Sequence, residues 1–329
     1  MALRREQSAP APTRGACAVG TAVAVGIGAA VAVQARINGE LGQRIGDGLI
    51  AALLSFLGGL LLLALVAATR PRMRRGLGRV RAAVRDRRLR PYQLLGGICG
   101  AFLVFCQGLT VATIGVAGFT VAVVAGQAAS ALLVDRVGVG PGGPRAVSVR
   151  RVAGAVLALA AVVLAMSDRL GASHVLWLAL APALAGVGTA WQQAVNGRIG
   201  AAARQDGPPL AAMLPAALVN SGVGTVALAL VAAVEVAMRG LPEPLPAQPW
   251  LYLGGALGVL FIGAAAVTVP ITGVLLLGLG TVAGQLVGAL LLDLFVPAGD
   301  NQLTVTTLIG TALALVAVTV IALPGRGRT

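Results

Sequence analysis

Charge-free apolar stretches recur along this chain, each about long enough (about 17–25 residues) to cross the hydrocarbon core of a bilayer as a helix. In the first half they fall near 17–35, 49–68, 92–112, 114–134 and 152–167, and in the second near 175–195, 210–234, 250–269, 271–292 and 304–323. The pattern predicts ten membrane-spanning helices, five in each half. The third and fourth, and the eighth and ninth, follow one another with almost no polar residue between them.

The two halves repeat each other at an offset of 158 residues: Asn38-Gly39 recurs as Asn196-Gly197, Pro91 as Pro249, Gly96-Gly97 as Gly254-Gly255, Gly126-Gln127 as Gly284-Gln285 and Asp135 as Asp293. Such a period outranks any local reading of the chain. Five spans per unit is an odd number, so the second unit starts on the opposite side of the membrane from the first. The expected fold is therefore an all-α integral membrane protein of ten transmembrane helices in two inverted five-helix repeats. Its divisions are a tail over 1–16, a first repeat over 17–167, a linker over 168–174, a second repeat over 175–323 and a tail over 324–329.

Composition agrees, because 57% hydrophobic and 11% charged residues cannot be folded into a water-soluble globule. All 25 basic residues are arginine. In the ten-span arrangement only Arg36, Arg44, Arg169 and Arg239 fall opposite the N-terminus, and the other 21 fall on its side. The positive-inside rule then makes both termini cytoplasmic. The loop after the second span, with ten arginines from Arg70 to Arg90, faces the cytoplasm; its counterpart near 239–249, with Arg239, Glu243 and four prolines, faces out.

Other readings of these segments are weaker. Residues 1–35 have the outline of a signal peptide ending at Val33-Gln34-Ala35, yet the segment has a partner 158 residues later inside the chain. The Arg70–Arg90 cluster and a net charge of +14 suggest nucleic acid, but no aromatic interleaves the arginines before Tyr92. A topology signal held against anionic lipid explains it, so the expected partners are the bilayer and a small-molecule substrate, with no nucleic acid. A homodimer is left open. Cys17, Cys99 and Cys106 lie in or at the start of spans and read as small packing residues. His174, the one histidine, sits in a short external loop without metal-ligating partners. No nucleophile-elbow, phosphate-loop or paired-carboxylate motif appears, so neither an enzyme nor a cofactor is expected. Most of the 46 glycines lie in apolar runs, where small residues let helices approach closely.

The polar groups left at membrane depth carry the functional signal. Gln34 and Asn38 share one face of the first span at i and i+4, as Gln192 and Asn196 do in the sixth. They read either as amides facing a polar solute or as Asn-Gly helix ends at the interface. Gln127 and Gln285, each after a glycine, lie nearer mid-helix in the fourth and ninth spans. They are the first candidates for a site near the midplane between repeats, the competing role being a hydrogen bond that joins the repeats. Gln107 with Thr110 and Thr113, and Thr268 with Thr272 around Pro270, are secondary. Asn220 stands where repeat one has Ser55, at an offset of 165, and would make a cavity asymmetric. Glu40, Asp135, Glu235 and Asp293 all fall near span ends, where Asp135 and Asp293 read as solvated helix termini. A mid-membrane acid for proton coupling is not evident, which favours neutral or zwitterionic cargo, facilitated movement or coupling through interfacial acids.

Gln34-Ala-Arg-Ile-Asn38-Gly39 at the end of the first span, Pro91 opening the third, and Ala125 to Asp135 closing the fourth resemble the YdcZ-like proteins of the drug/metabolite transporter superfamily. Both halves resemble that five-span unit, over roughly residues 17–323. The resemblance implies an EamA-like fold with a central cavity worked by alternating access, in the cytoplasmic membrane of a bacterium. The first span lacks the acidic residue of the related small multidrug exporters, which speaks against multidrug–proton exchange. The expected function is a carrier, in the export direction, of a small polar or amphiphilic metabolite. A non-transporting scaffold or lipid-binding protein is the competing class, and would have its amides hydrogen-bonded with no void between repeats.

Overall fold

A computed structural model describes residues 14–140, 143–144, 149–165, 167, 173–204, 210–240, 242, 244–296 and 304–322. Within helices the side chains of residues 14–17, 150–151, 173–177, 210–212, 263, 265–267, 269–276 and 321–322 are outside the description, and those of Cys17, His174, Pro270 and Thr272 are among them. The described chain is helical without a strand: α1 (Arg14–Ile45), α2 (Gly48–Thr69), α3 (Pro71–Arg85), α4 (Gly96–Val137), α5 (Val149–Ala165), α6 (Ser173–Ala203), α7 (Leu210–Arg239), α8 (Gly254–Phe295) and α9 (Val305–Ala322). Short 3₁₀ turns at Pro91–Leu94 and Pro249–Tyr252 lead into α4 and α8.

By length and composition, five described segments could cross a membrane: Ala18–Ile45, Gly48–Thr69, Pro91–Val137, Met213–Arg239 and Leu277–Phe295. Leu61 and Leu65 on α2 and Val226, Leu230 and Val234 on α7 are exposed. So many outward apolar side chains suit a lipid-facing surface and not a watery one. The protein is an all-α membrane protein.

Local chemistry sets the ends of the helices. Gly46, at φ +67°, ends α1. Asp47 then caps α2 by accepting from the Leu49 and Ile50 amides at 2.8 and 3.0 Å. Pro71 opens α3, where its missing N–H costs nothing.

The two 42-residue helices are not straight. A straight helix of that length would be about 63 Å long, at 1.5 Å per residue. Yet Gly96 and Gly138, near the two ends of α4, both meet one turn of α6: a methyl on Gly96 would stand 3.2 Å from Asn196 Oδ1, and Arg198 Nη2 donates to Gly138 O at 2.8 Å. α4 reverses at Gly115, whose φ of 77° and ψ of 166° suit glycine alone. The limbs before and after it both lie along α6. α8 is folded the same way, because Gly254 abuts Asn38 while Arg36 Nε donates to Val296 O at 3.2 Å.

Packing exchanges the halves. α1 packs on α8, α6 on α4, α2 on α7 and α5 on α9. Four of the close approaches form reciprocal pairs at the 158 offset, each glycine leaving no room for a Cβ. Gly28 faces the backbone of Thr281 and Gln285, as Gly186 faces that of Val123 and Gln127; Gly284 faces Val25, as Gly126 faces Ala183. Between α2 and the start of α8, Gly59 abuts Gly255, while between α7 and the start of α4, Gly224 abuts Gly97. This matches the 165 offset of the second span (224 − 59).

The arginine-rich segment after α2 is helical, where a loop was expected. α3 buries Met73, Gly76, Val80 and Ala83, spaced for one helical face, and docks them on α6 and α7.

Candidate functional site

Six of the eight predicted site residues form two clusters. In the first, Asn38 Nδ2 on α1 donates to Gln107 Oε1 on α4 at 2.7 Å, and both residues are buried. One turn earlier on α1, Gln34 Nε2 donates to Gly254 O of the other half at 2.6 Å. Gly254 is needed here, since a methyl would overlap Asn38 Oδ1 and stand 2.8 Å from Ser55 Oγ.

In the second cluster, Gln192 Nε2 and Asn196 Nδ2 on α6 both donate to Asn220 Oδ1 on α7, at 2.9 and 3.3 Å. Gly96 and Gly100 of α4 lie against them, so a methyl on Gly100 would come 2.5 Å from Gln192 Nε2. The clusters are counterparts with different wiring. Gln107 is replaced by Ala265 in the second half and Ser55 by Asn220, so the amide partner moves from α4 to α7.

Both asparagines carry the same anomaly. Asn38 Oδ1 and Asn196 Oδ1 are enclosed without a hydrogen-bond donor among the described residues. Buried acceptors are rarely left so, and each such group costs about 1–3 kcal/mol. Neither asparagine is a helix end, because α1 continues to Ile45 and α6 to Ala203. The helix-terminus reading of the two Asn-Gly pairs is thereby corrected.

Gln127 and Gln285 lie elsewhere on their helices. Their backbones press on Gly186 and Gly28, and both side chains are half-buried. Among the described residues neither takes a hydrogen bond, so a bond from these two glutamines tying the repeats together is not seen; the inter-repeat glutamine bond is that of Gln34 to Gly254 O. Thr110 and Thr268 satisfy their own helices, donating to Cys106 O at 2.7 Å and Ala264 O at 2.8 Å.

The carboxylates are engaged. Glu40 bridges Arg36 at 2.5 Å and Arg44 at 2.8 Å, and Glu235 pairs with Arg239 at 3.0 Å. Asp293 corrects the solvated-terminus reading: it is 3% exposed and accepts from the Val116 and Ala117 amides just past the Gly115 reversal. No sequence signal marks this role except that Asp293 repeats Asp135. Among the described residues no three His, Cys, Asp or Glu side chains group as a metal site.

A family profile described as "Putative inner membrane exporter, YdcZ" matches the chain twice, over residues 19–164 and again over 176–320. The chain belongs to the YdcZ family. Each half carries one copy of the YdcZ unit, so the reciprocal contacts above join two units of one family. No curated protein matches the chain. The family's description as an exporter names a transporter class, which is not an enzyme class.

Proposed function

We propose that this YdcZ-family protein is an alternating-access carrier that exports a small polar or amphiphilic metabolite across the cytoplasmic membrane. Its ten spans come from counting each limb of α4 and α8 separately, which gives two inverted five-helix repeats with both termini cytoplasmic. Supporting this count, Arg79 of α3 donates to Arg204 O at 2.6 Å, which brings together two segments that the arginine distribution assigns to the cytoplasm.

The observation that carries the reading is the pair of amide oxygens on Asn38 and Asn196 that have no donor among the described residues, one in each repeat and each facing a glycine of the other. A cargo bearing N–H or O–H groups would satisfy them, and water would do so between cargoes. Gln127 and Gln285, without hydrogen-bond partners among the described residues, are the further candidates for contacting it. Amides recognise without charge, which suits neutral or zwitterionic cargo.

The test is single-cysteine accessibility at positions 127 and 285, in a variant lacking Cys17, Cys99 and Cys106, to a membrane-impermeant thiol reagent from each side. Labelling that depends on side and changes with candidate solutes is expected. Two inert positions in a folded protein would overturn the carrier reading in favour of a packed scaffold.

A further inference from the structure

Ten arginines between Arg70 and Arg90 repel one another unless something negative offsets them. By docking its apolar face on α6 and α7, α3 adds its charge to that of Arg198 and Arg204 at the end of α6. A cavity of about 550 Å³ opens between them, lined by Arg79, Arg88, Arg198 and Arg204 over a floor that includes Leu89 and Ala202. That volume is within the range of about 300–1,000 Å³ typical of small-molecule sites. Among the described residues no carboxylate lines it; Asp86 is engaged by Arg88 at 3.0 Å and Arg85 at 3.6 Å.

Two of the four guanidinium groups are fixed by backbone acceptors. Arg198 donates from Nη2 to Gly138 O and from Nε to Val139 O at the end of α4, and Arg79 donates from Nη1 to Arg204 O. A guanidinium has five N–H donors in a planar fork. Nη1 of Arg198 and Nη2 of Arg79 therefore keep free donors, while their positions are already set. The forks of Arg79 and Arg198, pre-oriented and without a carboxylate partner among the described residues, match a tetrahedral oxyanion carrying several acceptor oxygens.

We propose that the cleft between α3 and α6 binds a phosphate group, held by Arg79, Arg198 and Arg204 with Arg88 at the rim. The group comes either from an anionic phospholipid headgroup or from a soluble phosphate compound. This site is separate from the amide clusters and does not depend on what the protein transports.

Binding is read as a rise in thermal midpoint of the full-length protein in non-ionic detergent. Inorganic phosphate is titrated against chloride at constant ionic strength, and in parallel phosphatidylglycerol is compared with phosphatidylcholine in mixed micelles. At least one of phosphate and phosphatidylglycerol should stabilise the protein. Arg79→Ala with Arg204→Ala should weaken that effect about tenfold or more. Arg75→Ala with Arg81→Ala, which removes equal charge from exposed positions of α3 outside the cleft, should leave it unchanged. Stabilisation by phosphatidylglycerol alone assigns the lipid source, and a response to free phosphate assigns the soluble one. On the unmutated protein, the stabilising probe should also protect Arg79 and Arg204 from phenylglyoxal while Arg75 and Arg81 still react, read by mass spectrometry. Absence of stabilisation by either probe, equal loss in both double variants, or unselective protection would overturn the proposal.

Discussion

Asp293 Oδ1 accepts the Val116 amide proton at 2.9 Å, a bond between residues 177 positions apart. Oδ2 accepts the next amide, that of Ala117, at 2.7 Å, so one carboxylate from the end of α8 closes the helix that restarts after Gly115. Negative charge is favourable at a helix N-terminus, and two amide protons that would otherwise be orphaned are satisfied. Asp293→Ala should cost about 1–3 kcal/mol for each stranded N–H. Asp293→Asn, which keeps one carbonyl oxygen, should cost less. Thermal unfolding of the purified variants measures both, and equal stability of Asp293→Ala and the parent would mean the cap is not holding the reversal.

The two amide clusters differ in what supports them, and this separates their mutants. Gln107→Ala removes the acceptor from the buried Asn38 amide, with an expected loss of about 1–3 kcal/mol. Asn220→Ala removes one oxygen that serves two donors, Gln192 and Asn196, so its loss should be the larger. Asn220→Ser installs the repeat-one residue and should fall between, because a hydroxyl at that position reaches fewer donors. An Asn220→Ala protein as stable as Gln107→Ala would contradict the shared-acceptor geometry.

Glycines at reciprocal crossings should behave alike, and unlike glycines facing open space. A methyl at Gly126 would overlap Ala183 O and one at Gly284 would overlap Val25 O, whereas Gly26 and Gly278 have nothing within 4 Å. Gly126→Ala and Gly284→Ala should each force a helix pair apart and lower the thermal midpoint by similar amounts. Gly26→Ala should be neutral or stabilising by up to about 1 kcal/mol, the difference in helix propensity. Unequal effects at 126 and 284 would argue against equivalent packing in the two halves.

What the sequence made legible follows from which forces act locally. The 158-residue offset matched glycines to glycines, and the structure places Gly126 and Gly284 in equivalent crossings, since close helix approach demands the same small residue wherever it recurs. The division between the third and fourth spans, expected between 112 and 114, falls at Gly115, but the sharp reversal there is not legible, because one glycine in an apolar run looks like all the others until its φ is known. Arginine dominates α3 and makes it read as a loop, although Met73, Val80 and the small residues at 76 and 83 have helical spacing. The role of Asp293 was unreadable, its partners being set by tertiary approach alone. Asn38-Gly39 leaves two readings open through local chemistry: the pair suits a helix end, but here Gly39 contacts Val111 while the helix runs on.

Gln34 and Gln127 then offer the sharpest division between structural and functional amides. Gln34 is committed to Gly254 O at 2.6 Å, across the two halves, so Gln34→Ala should lower stability by about 1 kcal/mol, the usual net worth of such a bond. Gln127 and Gln285 have no such commitment among the described residues, and Gln127→Ala and Gln285→Ala should unfold at the parent temperature. If these side chains serve cargo, the same two variants should lose efflux when the protein is reconstituted in vesicles and screened against polar metabolites. Loss of stability without loss of efflux at 127 and 285 would reassign both glutamines to packing. Loss of efflux at unchanged stability is the outcome that a cargo contact predicts, because a residue that spends no binding energy on its own protein has all of it left for the solute.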